Sequence, residues 1–236
     1  MNPIPAILAT LAWGGWVAAD TTAFLQILVS QPIVAGPVVG ALWGRFDIGL
    51  ELGAILQLFA CGTLPLGGRT PEDFPIGSVV GVSAASALDH LLPVASAQGG
   101  PLLYGLGVAF VVALLGKPLM VWQRRWNDGV ARWCEAELAA GRLSALGRAQ
   151  WAGVGIASAT GVLWTGVALA LAVWLGTLLF QFQGVALGQA WHLGSPLLWG
   201  FGAGLVTRGF VRGRRPGFFF WLSLVGFLAI RLVGGR

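Results

Sequence analysis

Charge is what this sequence has least of. Acidic and basic residues make up 10% of its 236 positions, against 56% hydrophobic ones, and the mean hydropathy is +0.80. That is too little polar material to cover a water-soluble globule of this length, so a soluble fold is excluded and the chain belongs in a bilayer. The first 44 residues hold one charged side chain, Asp20. The basic start of a cleavable signal peptide is therefore missing, and the first helix is expected to be a mature span. Cysteine is scarce as well: Cys61 ends an apolar run and Cys134 sits on a polar helix. Two thiols outside any spaced secreted framework predict no disulfide. The two histidines, His90 and His192, are remote from each other and from both cysteines, so no zinc signature forms. A Gly-rich phosphate loop closing on Lys-Ser or Lys-Thr and a Gly-x-Ser-x-Gly elbow are both absent, which leaves an ATP-driven pump or a membrane hydrolase without machinery. No catalytic residue of the chain's own, no metal ligand and no cofactor are expected.

What the sequence does have is an interrupted apolar stretch from Asp20 to Gly81. Proline breaks it at Pro32, Pro37, Pro65, Pro71 and Pro75, and carboxylates sit where a plain spanning helix would carry none. Such segments are broken helices or re-entrant hairpins, whose exposed backbone groups survive at membrane depth only against protein or a water-filled cavity. Residues 4–19 form a first apolar run. Asp20, Thr21 and Thr22 then offer helix-start chemistry for a segment reaching Ser30. A further helix is expected to begin at Gln31, with Pro32 in its first turn. Gly36, Gly40 and Gly44, continued by Gly49 and Gly53, would stack on one face and let another backbone come close. The loop Thr63–Pro75 gathers Arg69, Glu72 and Asp73. Simple solvation accounts for such charges. A sugar site has the same composition, because carboxylates and amides pair with vicinal hydroxyls while an aromatic such as Phe74 covers the apolar face of the ring.

Residues 76–94 and 101–122 read as further spans, with Asp89 and His90 placed at the interface rather than in a proton relay. Residues 123–150 are the water-facing segment. Trp122, Trp126, Val130, Trp133 and Leu138 recur at helical spacing, with Arg124, Arg125, Asp128, Arg132 and Glu135 mostly elsewhere on the wheel, which predicts an amphipathic helix at a membrane surface that stops at Gly141. Between Lys117 and Arg148 there are six basic and three acidic residues, so this segment is placed in the cytoplasm. The net charge of +5 thus reflects topology, and nucleic acid is excluded as a partner. Residues 151–181 and 185–206, parted by Gln181, Gln183 and Gly184, read as two crossings that return the chain to the basic cluster Arg208, Arg212, Arg214 and Arg215. Phe218–Leu232 is a last short run. The expectation is an all-α, polytopic integral membrane protein forming a single domain over 1–236, with about six to eight transmembrane or re-entrant helical segments and one cytoplasmic amphipathic helix.

Several blocks are familiar when taken together: Ser30-Gln31-Pro32-Ile33-Val34-Ala35-Gly36-Pro37, Gly40 to Gly44, Asp47-Ile48-Gly49-Leu50 with Gly53, Leu56-Gln57-Leu58, Gly62, Leu64-Pro65-Leu66-Gly67 and Pro71-Glu72-Asp73. In these the chain resembles the IIC component of the mannose/sorbose family of the bacterial sugar phosphotransferase system. The likeness is densest over residues 20–81. It departs at Gln57, where mannose members carry glutamate, and at Thr63 and Pro65, where tryptophan and asparagine are expected.

The resemblance implies a multi-pass subunit of the bacterial inner membrane that moves a hexose-type sugar inward, usually as an oligomer. It would work with a IID membrane subunit and with soluble IIA and IIB phosphocarriers, which carry phosphate on their own histidines. Carried over residue by residue, the implied sugar ligands are Gln57, Thr63, Glu72 and Asp73, with Asp20 and Gln26 facing them. A block holding residues 20–81 would rock or slide against the rest. Two other classes stay open: a secondary transporter or facilitator that needs no phosphorylation, and a non-transporting membrane scaffold or sensor subunit.

Overall fold

The computed structural model describes residues 3–62, 70–92, 99–210 and 216–234. Among these every regular element is an α-helix: α1 (Ile4–Thr22), α2 (Pro32–Leu42), α3 (Phe46–Cys61), α4 (Phe74–Leu91), α5 (Gly100–Ala139), α6 (Ala145–Phe210) and α7 (Pro216–Gly234). Both α5 and α6 are long and apolar enough to cross a membrane. Large apolar side chains point outward from α6, among them Leu163, Trp174, Phe182 and Leu193, as suits a lipid-facing surface.

The prolines open helices more often than they break them. Pro32 is the first residue of α2, and α1, α4 and α5 each carry proline in the first turn, where its missing N–H would have had no intrahelical partner. The expected helix at Gln31 and Pro32 is therefore present. The segment expected to start at Asp20 is not: Asp20, Thr21 and Thr22 form the last turn of α1, and residues 23–31 are loop. There the Asp20 carboxylate accepts from the amides of Ile27 at 2.8 Å and Ser30 at 3.0 Å, capping loop amides and not those of a helix. Those bonds restrain a segment in which Leu25, Gln26 and Leu28 all adopt positive φ, a costly conformation for residues other than glycine.

α2 and α3 form an antiparallel hairpin held at contact distance by glycine. A Cβ added at Gly36 would lie 2.7 Å from the carbonyl oxygen of Gly49, and one at Gly49 would overlap that of Gly36. Gly40 and Gly53 share this face. Gly44 departs from the expected stack, since it sits in the turn between the helices at φ +70° with open space around it. The next pair repeats the device: Cβ atoms at Gly77 and Gly81 of α4 would run into the carbonyl oxygens of Ala109 and Gly105 on α5. From Phe74 to Asp89 only Pro75 escapes burial, so α4 is the centre of the bundle. Its small residues admit neighbours on every side.

Two long helices differ from expectation. The span and the amphipathic segment are one continuous helix, α5. Its C-terminal part packs antiparallel against the start of α6 instead of lying alone on a surface, with Arg142 forking onto Glu137 at 2.5 and 2.8 Å and Arg148 stacking 5.4 Å over Trp133. The Arg142 guanidinium holds the Glu137 carboxyl below its usual range. The stop at Gly141 is as expected, at φ +78°.

The two crossings around Gln181 likewise belong to a single helix, α6, yet the chain does reverse. Gln150 donates to the Ala23 carbonyl, Gly99 abuts Trp191, and Gly62 abuts Leu205. Residues 150 and 205 would stand ~80 Å apart on a straight helix. They instead touch the ends of α1 and α3, whose Thr21 and Cys61 line one cavity. The bend falls between Phe180, which packs on Tyr104, and Trp191. α7 then runs antiparallel to the end of α6, with Trp199 stacked on Phe227 and Phe201 edge-on to Phe220.

Gly49→Ala is expected to destabilise the purified protein by about 1–3 kcal/mol through overpacking. Gly107→Ala, at an exposed helical site with nothing within 4 Å, should be neutral or slightly stabilising. Thermal unfolding of both variants in one detergent checks the contrast.

Candidate functional site

The hairpin fixes the first wall of the site. With Gly36 against Gly49 and Gly53 against Pro32, the register of α2 and α3 brings Gln31, just before α2, beside Gln57 in the last turns of α3. Gln57 Nε2 donates to Gln31 Oε1 at 3.0 Å and to Cys61 Sγ at 3.4 Å, while the Ile33 amide donates to Gln57 Oε1 at 3.3 Å.

The second wall is the segment that leads into α4. Asp73 caps that helix, accepting on Oδ1 from the Ile76 amide at 3.2 Å, and its own amide donates to the Ala113 carbonyl of α5 at 2.9 Å. Next to it, Lys117 Nζ of α5 lies 2.5 Å from Glu72 Oε1. One step further out, Arg124 donates to the Thr70 hydroxyl at 3.3 Å. Three successive polar contacts thus bind residues 70–73 to α5. The charge pair compensates the cost of removing a carboxylate from water, since Glu72 is 10% exposed.

Between the walls lies a cavity of about 290 Å³, lined among others by Thr21, Gln31, Gln57, Glu72, Asp73 and Phe74. Phe74 is buried and meets Phe110 edge-on at 5.7 Å, which holds its ring as part of the lining. The chemistry on offer is that of amides and carboxylates around an aromatic face. Polyhydroxylated rings suit such a set. Among the described residues no cluster of His, Cys, Asp and Glu could hold a metal ion. Cys61 and Cys134 are free thiols.

Of the residues singled out from sequence, Gln57, Glu72 and Asp73 meet at this cavity. Asp20 is buried and engaged with the loop amides of Ile27 and Ser30, and Gln26 is exposed on that loop; the cavity lining passes through neither. Thr63 lies outside the described residues. From the sequence Lys117 counts toward topology alone, and Gln31 toward a helix start and a family block, neither as a site residue. Gln31 was within reach, since the glycine register of the hairpin already sets it against the end of α3.

At the far end of the hairpin a separate polar cluster forms. Arg45 pairs with the buried Asp89 of α4 and forks onto Asp47 at 2.9 and 3.1 Å. His90 Nε2 lies 2.7 Å from the Trp43 carbonyl, and Trp43 Nε1 donates to the Thr10 hydroxyl of α1 at 3.0 Å. These contacts fasten the hairpin tip to α4 and α1.

With this geometry in place, comparison with known proteins is decisive. The family described as PTS system sorbose-specific IIC component matches residues 4–182. This chain belongs to that family. Over 55 residues the IIC chain is also 38% identical to "Putative N-acetylgalactosamine permease IIC component 2" of Escherichia coli (strain K12), a match covering 23% of this chain and 41% of that protein. No solved structure matches it. Family membership makes this a membrane protein of the mannose/sorbose-type sugar phosphotransferase system. Every residue lining the cavity between the two walls falls inside the matched segment.

Lys117→Met should lower the thermal stability of the IIC chain, because a largely buried carboxylate loses its cation. Adding Glu72→Gln should recover part of the loss. A double-mutant cycle on unfolding is expected to give a coupling of about 0.5–3 kcal/mol.

Proposed function

We propose that this IIC chain is the sugar-translocating subunit of a phosphoenolpyruvate-dependent phosphotransferase complex in the bacterial inner membrane, moving a hexose-type sugar inward for phosphorylation by a partner IIB. The observation that carries the reading is the cavity between Gln57 and the Glu72–Asp73 segment. Its volume of about 290 Å³ lies at the small end of ligand sites, roughly 300–1,000 Å³, and suits one sugar ring better than an oligosaccharide. Glu72 and Asp73 would hydrogen-bond the hydroxyls, Gln57 would shape the amide wall opposite them, and Phe74 would cover the ring. A hexose or an N-acetylated hexosamine fits this chemistry, the latter in keeping with the name of the Escherichia coli relative.

Sidedness supports inward release. Met120 of α5 lines the cavity, and the basic α5–α6 hairpin projects from the same end, which the positive-inside rule puts in the cytoplasm. A IID membrane subunit and soluble IIA and IIB phosphocarriers would complete the complex. Within the chain, alternating access is best served by movement of the α2–α3 hairpin alone, narrower than a block of residues 20–81. The segment 70–73 and α4 are bound to α5 by Asp73, Glu72, Thr70, Gly77 and Gly81, so they would travel with α5.

The test is monosaccharide binding by the purified chain, alone and with its IID partner in lipid nanodiscs. Glu72→Gln and Asp73→Asn should each weaken binding about tenfold or more, a loss near 1.4 kcal/mol; asparagine keeps the cap on α4. Unchanged affinity in both variants removes these residues from the site. Uptake into vesicles by the IIC chain without phosphocarriers would move the assignment to a facilitator, and no sugar binding under any condition would leave a scaffold or sensor.

A further inference from the structure

Building on the reading of this cavity as a monosaccharide site, we propose that Gln31 supplies its hydrogen-bond donors and that Gln57 determines which edge of the Gln31 amide faces the sugar. The Gln57 amide is fixed at both edges, with Oε1 accepting from the Ile33 amide and Nε2 donating to Gln31 Oε1 and Cys61 Sγ. Turning it over would set an N–H₂ group against the Ile33 N–H, donor facing donor. Its orientation therefore follows from the backbone at the start of α2. That orientation is passed on. With Oε1 of Gln31 held by Gln57, its Nε2 occupies the other side of the amide, where it has no hydrogen bond among the described residues while the side chain lines the cavity.

The two walls then differ in kind. The carboxylate oxygens of Glu72 and Asp73 accept, whereas an amide nitrogen only donates. A ring hydroxyl satisfies either wall, but among the described lining residues the carbonyl oxygen of an N-acyl group finds its amide donor at Gln31. Gln31 is thus a ligand-contacting residue that favours substrates with a strong acceptor on that edge. Gln57 is a positioning residue acting through it. Replacing Gln57 by Glu exchanges one NH₂ group for oxygen. The carboxylate would still accept from Ile33, but it would now draw the Nε2 of Gln31 toward itself, so the Gln31 amide would turn over and present Oε1 to the cavity. One substitution at residue 57 would reverse the polarity shown by residue 31.

The experiment titrates the purified chain, with its IID partner in nanodiscs, with galactose and N-acetylgalactosamine by calorimetry. Gln31→Met, close in size and without donors, should weaken N-acetylgalactosamine binding about tenfold. Gln57→Glu should shift the ratio of the two affinities toward galactose, and in the Gln31→Met background it should add no further shift. A merely structural role for Gln57 would lower both affinities without changing their ratio. Gln31→Glu serves as a second variant if Gln31→Met fails to fold, since it keeps the shape and removes the donors. Unaltered affinities in a folded Gln31 variant, or a ratio shift by Gln57→Glu that persists without Gln31, overturn the proposal and leave the sugar site standing. A wild-type chain that binds neither sugar overturns both.

Discussion

Backbone-to-backbone contact at glycine is the constraint on which this architecture depends. In lipid there is little hydrophobic gain from pressing one apolar helix on another, so close approach and shape supply the adhesion. The α2–α3 hairpin meets at Gly36, Gly40, Gly49 and Gly53, and α4 meets α5 at Gly77, Gly81 and Gly105. Two tight pairs result, and each brings a different kind of polar group to one end of the bundle. The hairpin contributes amides at Gln31 and Gln57, while the α4–α5 pair contributes carboxylates at Glu72 and Asp73, steadied by Lys117 and the Ala113 carbonyl. The cavity is the seam between the pairs. Its chemistry depends on their packing as much as on its own side chains.

Charge is used sparingly, and at two places in the described interior a carboxylate is set against a cation. Glu72 meets Lys117 near the cavity, and Asp89 meets Arg45 at the other end of the hairpin. The second cluster, reinforced by Trp43 through Thr10 and His90, fastens the hairpin tip to α4 and α1. The seam is therefore closed by side-chain contacts opposite the end where the cavity lies.

Local chemistry was legible in the sequence, and distant pairing was not. Pro32 in a first turn and the glycine stack of Gly36, Gly40, Gly49 and Gly53 each act within a few residues and are found as expected, with Gly44 alone displaced into the turn. Local spacing makes Asp20 a cap for a following helix, because side-chain oxygens commonly serve amides two or three positions ahead; its partners are seven and ten positions ahead, across a loop with three left-handed residues. Lys117 and Glu72 stand 45 positions apart, beyond any spacing rule. Gln181, Gln183 and Gly184 mark the place where the chain turns back, but the helix runs on through them, so the expected break is a bend.

That bend has a mechanical meaning. α6 grips α1 at one extremity and the end of α3 near the other, through Gln150 and Leu205, without interruption of the helix between them. A displacement of α3 relative to α1 would therefore be felt by both arms of this helix. The residues of the bend lie far from the cavity, yet one unbroken helix joins them to the ends of α1 and α3 that line it.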